Sequence, residues 1–88
     1  MILDLHCRDI HGLKEKRHIV SSIKEKLRHK YNISIIESDY QDLWQKMQIA
    51  IALVSNSKVF AEKIFNQAED FIFSNYPVRI INIDKQYL

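Results

Sequence analysis

The 88-residue sequence has only one glycine, one proline and one cysteine. So little glycine and proline predicts long regular elements joined by short loops. It also excludes a glycine-rich phosphate-binding loop, because a chain with one glycine cannot build one. The lone Cys7 cannot form an internal disulfide, which fits a reducing compartment.

The sequence also lacks long apolar runs. No stretch approaches the ~20 apolar residues of a membrane-spanning helix. Asp4 and Arg8 interrupt the N-terminal region, where a signal peptide would hold an apolar stretch. The chain is too short to build two hydrophobic cores. We therefore expect one cytoplasmic domain that spans residues 1–88.

Charge is distributed unevenly along the chain, although the net charge is only +2. Residues 13–31 contain seven Lys or Arg against two Glu, a balance of +5, which leaves −3 for the rest of the chain. Such asymmetry favours a polyanionic partner for the basic segment.

Hydrophobic periodicity divides the chain into six predicted elements. Alternating apolar residues, or β-branched runs, predict strands at residues 2–8, 32–38, 47–55 and 78–84. Apolar residues at helical spacing predict two amphipathic helices, at residues 13–31 and 58–76. Gly12 occupies the capping position of the first helix, whereas the second has serine and asparagine candidates at residues 55–57.

The order β-α-β-β-α-β predicts an α+β fold, a ferredoxin-like βαββαβ sandwich. Its four-stranded antiparallel sheet would carry both helices on one face. We expect the first and third strands at the centre, parallel to each other. The other face would be open, with Asp4, His6 and Arg8 beside Gln48, Ala50 and Ala52.

Basic residues on the first helix form one stripe beside the apolar face. Steps of three and four residues connect Lys14, Arg17, Ser21, Lys24 and Arg28. We call the four cations of this stripe the basic ridge and interpret them as nucleic-acid-binding residues that neutralise phosphates. The alternative is a solvated helix face whose Lys and Arg stems cover the core.

The stretch "DYQDLWQ", residues 39–45, connects the second and third strands and holds the only tryptophan. In one interpretation Trp44 closes the end of the core, while Asp39 and Asp42 bond the backbone of the turn. In the other, the hairpin contacts a partner through Tyr40, Asp42, Trp44 and Gln45, with the two aromatic rings as anchors for another protein or for a base. Asp39 and Asp42 would repel phosphate, which favours a protein partner here.

The sequence offers no constellation for catalysis or metal binding. His6 and Cys7 are adjacent in a predicted strand and point to opposite faces, so they cannot share an ion. No pair of carboxylates has a spacing that demands acid–base chemistry, and no residue stands out as a nucleophile. We expect no enzyme activity, no cofactor, no metal and no small-molecule substrate.

Two stretches together resemble the YlxP-like family of small bacterial proteins. One is "LKEKR" at residues 13–17, and the other is "DYQDLWQ" at residues 39–45, followed by a small-residue strand ending "VSNS". The resemblance runs almost end to end and includes "NISIIESD" and "RIINID". The matching positions are Leu13, Lys14, Glu15, Lys16 and Arg17, then Asp39, Asp42, Leu43, Trp44 and Gln45.

The resemblance implies a ferredoxin-like domain of unknown function. Such proteins are often encoded near genes for transcription elongation, translation initiation and ribosome maturation factors, which implies a cytoplasmic role at ribosomal RNA or the small ribosomal subunit. The family usually has a longer loop before the basic helix, with a serine directly before the leucine. Here Gly12 replaces that serine, which weakens both the cap and any anion site at this helix end.

Two functional hypotheses follow. The first is a non-catalytic RNA- or ribosome-associated factor that uses the basic ridge. The alternative is a homodimeric protein-interaction module that acts through the open sheet face or the Tyr40–Trp44 hairpin.

Overall fold

The computed structural model describes all residues from 1 to 88 and contains six elements. They are β1 (Ile2–Cys7), α1 (Leu13–Lys30), β2 (Ser34–Asp39), β3 (Lys46–Ala52), α2 (Lys58–Asn75) and β4 (Val78–Asp84). The predicted order is confirmed. Neither helix is long and apolar enough to cross a membrane.

The strands form one four-stranded sheet in the order β2-β3-β1-β4, and every neighbouring pair is antiparallel. The predicted ferredoxin-like α+β fold is therefore confirmed, with β1 and β3 at the centre. The expectation that β1 and β3 run parallel was wrong, since Ile2 pairs with Ala50 and His6 with Lys46. Each helical crossover returns the chain to a strand of the same direction and leaves room for one opposed strand between them.

The two helices begin differently. Ser57 caps α2, and its hydroxyl accepts a hydrogen bond from the backbone N–H of Phe60 at 3.2 Å. Gly12 caps α1 without any side-chain hydrogen bond, as the sequence predicted. Pro77 follows α2 and separates it from β4.

The core lies between the helices and one face of the sheet. Alternate residues of β1 and β3 are buried, and they pack with apolar residues of both helices in one cluster of 16 residues. Its members from the two central strands are Leu3, Leu5, Cys7, Met47, Ile49 and Ile51; its helical members are Val20, Ile23, Leu27, Phe65, Ala68 and Ile72. Both helices therefore cover the same face, as predicted.

The opposite face of the sheet is open and largely polar. Gln48 Nε2 donates to Asp4 Oδ1 at 2.8 Å, and the Ser38 hydroxyl donates to Gln48 Oε1 at 2.8 Å. Strand pairing brings His6 opposite Lys46 on the same face. Arg8 follows the end of β1, where its guanidinium donates to the carbonyl of Val78 at 3.2 Å.

Candidate nucleic-acid interface and hairpin site

All four cations of the basic ridge lie on α1. Three of them, Lys14, Arg17 and Arg28, are exposed, and Lys24 is half-buried. Because the four cations and Ser21 follow one another at steps of three and four residues along one helix, they form one row. A rise of 1.5 Å per residue makes this row about 21 Å long.

No member of the ridge is neutralised by a carboxylate of the protein. The molecule has two ion pairs, and neither includes a ridge residue. Arg28 is partly engaged, since its Nη2 donates to the carbonyl of Ile35 at 2.9 Å, but this uses one of five guanidinium donors. The ridge therefore presents cationic side chains that solvent or an external anion must satisfy.

Lys16 has a structural role that its sequence position did not reveal. It belongs to the same basic helix, yet its relative exposure is 0 % and it is the only charged residue buried in the core region. The signal was present in the spacing, because Lys16 stands three residues after Leu13 and four before Val20, on the apolar stripe itself. Because lysine is charged, position 16 was not counted among the apolar residues of the stripe.

The buried ammonium of Lys16 has three oxygen partners. Glu37 Oε2 lies 2.8 Å from Lys16 Nζ, and the carbonyls of Tyr40 and Leu43 accept hydrogen bonds from it at 2.5 Å each. These partners match the three donors of an ammonium group. They are also what makes its burial tolerable, since an unpaired charge in the core would be strongly destabilising.

Glu37 depends on this contact in return. Its side chain is 14 % exposed, and its buried Oε2 has one charged partner, the Lys16 ammonium. Removal of Lys16 would leave Glu37 Oε2 without its partner, and removal of Glu37 would leave the buried ammonium with two carbonyls but no counter-charge.

Lys16 joins the two stretches that carry the family resemblance. It lies within "LKEKR", and the carbonyls it binds belong to "DYQDLWQ". The start of α1 is thereby fixed to the end of the β2–β3 hairpin. We call this contact the Lys16 clasp, comprising Lys16, Glu37 and the carbonyls of Tyr40 and Leu43.

The hairpin beyond the clasp has a defined turn. Tyr40 has a φ of 63°, in the left-handed region that non-glycine residues rarely adopt. Its backbone N–H donates to Asp39 Oδ1 at 2.7 Å, and its carbonyl also accepts from the N–H of Leu43 at 3.0 Å. The predicted backbone bond of Asp39 is thus present, whereas the exposed Asp42 carboxylate forms no hydrogen bond.

Trp44 is 39 % exposed and lies outside the buried core cluster. Its neighbour Leu43 is 46 % exposed, and the backbone carbonyl of Gln45 accepts from the N–H of Cys7 at 2.7 Å. The buried group beneath this hairpin is Lys16, and part of the indole is accessible. The interpretation of Trp44 as a partner contact is therefore compatible with its position.

Cys7 lies close enough to the clasp to experience both of its charges. Burial raises the pKa of the Cys7 thiol; the Lys16 ammonium acts in the opposite direction, and the Glu37 carboxylate adds to the increase. The thiol is buried, and its side chain points into the core, away from His6. No three His, Cys, Asp or Glu side chains come together in a group that could hold a metal ion.

Comparison with known proteins places these features in a family. Residues 1–85 match the family described as "Protein of unknown function (DUF503)". The chain is also 42 % identical over 66 residues to the "Uncharacterized protein YlxP" of Bacillus subtilis (strain 168). The aligned residues make up 75 % of this chain and 72 % of that protein. The protein is thus a member of the DUF503 family, whose function is unknown and which includes proteins similar to YlxP.

Proposed function

We propose that this protein is a non-catalytic, cytoplasmic RNA-binding factor that contacts phosphates through the basic ridge of α1. The observation that carries the proposal is the absence of any internal ion pair at the four ridge cations. A row of unneutralised Lys and Arg along about 21 Å of helix matches the repeated charge of a nucleic-acid backbone.

The position of Lys16 sharpens this proposal. Seven Lys or Arg lie in residues 13–31, but Lys16 is turned inward and paired with Glu37. The basic charge of α1 therefore has two separate uses, one structural and one available to an external ligand. Only the second can contribute to RNA affinity.

Ribosomal RNA is the target that we favour. This choice rests on the family resemblance, which implies a role beside transcription, translation initiation and ribosome maturation factors. A row of exposed cations also fits a broad, polyanionic surface better than a small-molecule substrate.

The test compares two variants with the same loss of charge. The ridge variant is Lys14→Gln/Arg17→Gln/Lys24→Gln/Arg28→Gln, and the control variant is Lys26→Gln/Lys30→Gln/Lys58→Gln/Lys63→Gln. Glutamine keeps helix propensity while it removes the charge. Affinity for isolated small ribosomal subunits and for a labelled RNA duplex is measured between 50 and 200 mM salt.

If the ridge contacts phosphates, the ridge variant lowers the slope of log affinity against log salt for the duplex by up to about 3.6, at roughly 0.9 per contact. The control variant keeps most of the wild-type slope. Equal slopes for the wild type and the ridge variant would contradict the proposal, and so would equal losses in the two variants.

A homodimeric interaction module is the second candidate, and exposed apolar residues on the open sheet face favour it. Ile36 is 55 % exposed and Ile2 is 38 % exposed, and both pair with Ala50, which lies between them on β3. Light scattering at high micromolar concentration tests this function. A wild-type dimer that the Ile36→Lys substitution dissociates into monomers would support the homodimeric function. A wild-type monomer at that concentration would contradict it.

A further inference from the structure

Three basic side chains lie in cross-strand register on the open face of the sheet. His6 on β1 pairs with Lys46 on β3 and with Arg79 on β4. Lys46 and Arg79 are exposed and His6 is half-buried, whereas their neighbours Met47 and Val78 point into the core. We call these three residues the sheet row. At strand spacings of about 4.8 Å, it crosses roughly 10 Å of the open face.

The sheet row is not neutralised within the protein. Neither of the two ion pairs includes any of its members. On the same face, the carboxylate of Asp4 is engaged by Gln48 Nε2 at 2.8 Å. Lys46 and Arg79 flank His6 on its two sides, so an anion bound across the row would contact the cations of both outer positions.

One end of the sheet row meets an aromatic ring. Lys46 Nζ lies 5.5 Å from the centroid of the Tyr40 ring, and Tyr40 is held in place by the Lys16 clasp. Trp44, partly exposed, belongs to the same hairpin end. Cations that follow a backbone, combined with an aromatic ring on which a base can stack, are the usual elements of single-strand recognition.

We propose that the sheet row and Tyr40 bind single-stranded RNA. Lys46, His6 and Arg79 would hold backbone phosphates, and an unpaired base would stack on the Tyr40 ring. A duplex does not satisfy this arrangement, because its bases are already stacked on each other. The inference rests on the proposed RNA-binding function and adds a substrate class and a second surface, on the sheet face opposite the helices.

The experiment uses fluorescence anisotropy with a labelled, unstructured 12-nucleotide oligouridine and with a labelled RNA duplex. The row variant is Lys46→Ser/Arg79→Ser, and the control variant, Lys58→Ser/Lys63→Ser, removes the same charge from α2. Tyr40→Leu removes the ring and keeps the backbone carbonyl that the clasp needs. Far-UV circular dichroism and thermal unfolding establish that each variant is folded.

The row variant is expected to lose on the order of tenfold in affinity for the oligouridine at low salt, with a slope lowered by about 1.4 for two lost contacts. Tyr40→Leu is expected to lose on the order of tenfold for the same oligouridine, because base stacking is lost. The duplex affinity of both variants stays near that of the wild type, and the control variant keeps its affinity for both RNAs.

The outcomes separate this inference from the function on which it rests. If the ridge variant loses RNA affinity while the row variant keeps its affinity for oligouridine, the inference is overturned and the proposed function stands. If only the row variant loses affinity, the inference stands and the ridge is not the RNA site. The wild-type protein could also form a dimer that Ile36→Lys dissociates and that does not bind oligouridine. This result would assign the open face to a second copy of the chain and overturn the inference.

Discussion

At the scale of single residues, Lys16 shows that a charged side chain can take a core position when the fold supplies its partners. A fully buried ammonium is normally very costly. Here one carboxylate and two carbonyls surround it, and all three belong to the hairpin between β2 and β3 or to the strand that leads into it. The charge thus stabilises one particular hairpin conformation.

The Lys16–Glu37 pair gives a direct prediction for stability. Lys16→Met keeps the length of the side chain but leaves the Glu37 carboxylate buried without its counter-charge, so we expect the free energy of unfolding to fall by about 3 kcal/mol. Urea unfolding measures this change. Lys14→Met, on the exposed side of the same helix, is the matched control and should stay within about 0.5 kcal/mol of the wild type.

The double variant Lys16→Met/Glu37→Met completes the test. Because it removes both charges, it should recover part of the loss, while the carbonyls of Tyr40 and Leu43 still lack the ammonium donor. A Lys16→Met variant as stable as the wild type, or a double variant no better than the single one, would show that the pair is not a coupled buried contact.

Cys7 gives a prediction for the pH dependence of stability. Burial raises the pKa of its thiol in the folded protein. The unfolded thiol ionises above about pH 8.5, whereas the folded thiol stays protonated to higher pH. The unfolded state therefore loses a proton first, and the contribution of Cys7 to stability, complete below pH 8.5, decreases as the pH rises.

This contribution can be isolated with Cys7→Ala. The difference in unfolding free energy between wild type and variant should shrink from pH 7.5 to pH 10, by at most about 1.4 kcal/mol per pH unit. Parallel pH profiles for the two proteins would contradict a raised thiol pKa. Urea unfolding at each pH provides the measurement.

At the scale of elements, the sequence predicted most helix and strand boundaries. The local residue pattern of each such element ends close to where its regular structure ends in the folded protein. The helix predicted at residues 13–31 occupies Leu13–Lys30, and the helix predicted at 58–76 occupies Lys58–Asn75. The third strand was predicted too long, to residue 55, and it ends at Ala52. Ala52 is opposite Ser34, where β2 begins, so the chain beyond it has no strand to pair with.

The cap of α1 gives a prediction at this scale. Gly12 has a φ of 173°, an extended conformation that serine also adopts, and a Cβ placed there meets no atom within 4 Å. Gly12→Ser would add a hydroxyl acceptor for the first turn and restrict the unfolded chain. We expect a gain of about 0.5 kcal/mol, measured by urea unfolding.

Ser57 supplies the reverse comparison on α2. Since its hydroxyl accepts from the N–H of Phe60, Ser57→Ala should cost about 1 kcal/mol. A Gly12→Ser variant that is less stable than the wild type would mean that the backbone before α1 does not accommodate the cap.

At the scale of the whole molecule, the clasp connects the hairpin to the core and makes a prediction about cooperativity. Trp44 is the only tryptophan and reports on the hairpin, while far-UV circular dichroism reports mainly on the two helices. Because Lys16 ties the hairpin to α1, both signals should follow one urea transition in the wild-type protein. In Lys16→Met the fluorescence transition should come first. Separate transitions in the wild type would show that the hairpin unfolds independently of the core.

The sequence by itself determined the element order, the apolar faces and the concentration of positive charge on α1, because each is a property of neighbouring residues along one element. It also contained the basic ridge, since helical spacing alone places those cations on one row. These features require no knowledge of which elements meet.

Only the tertiary structure decided the direction of β1 relative to β3, the oxygen partners of Lys16 and the alignment of Lys46, His6 and Arg79. Each of these depends on residues brought together from distant parts of the chain. A lysine is exposed or buried according to the oxygens that reach it, and the oxygens around Lys16 come from residues more than 20 positions away. Local periodicity carries no information about such partners, so the division of this helix's charges between fold and surface appears only when the sheet is assembled.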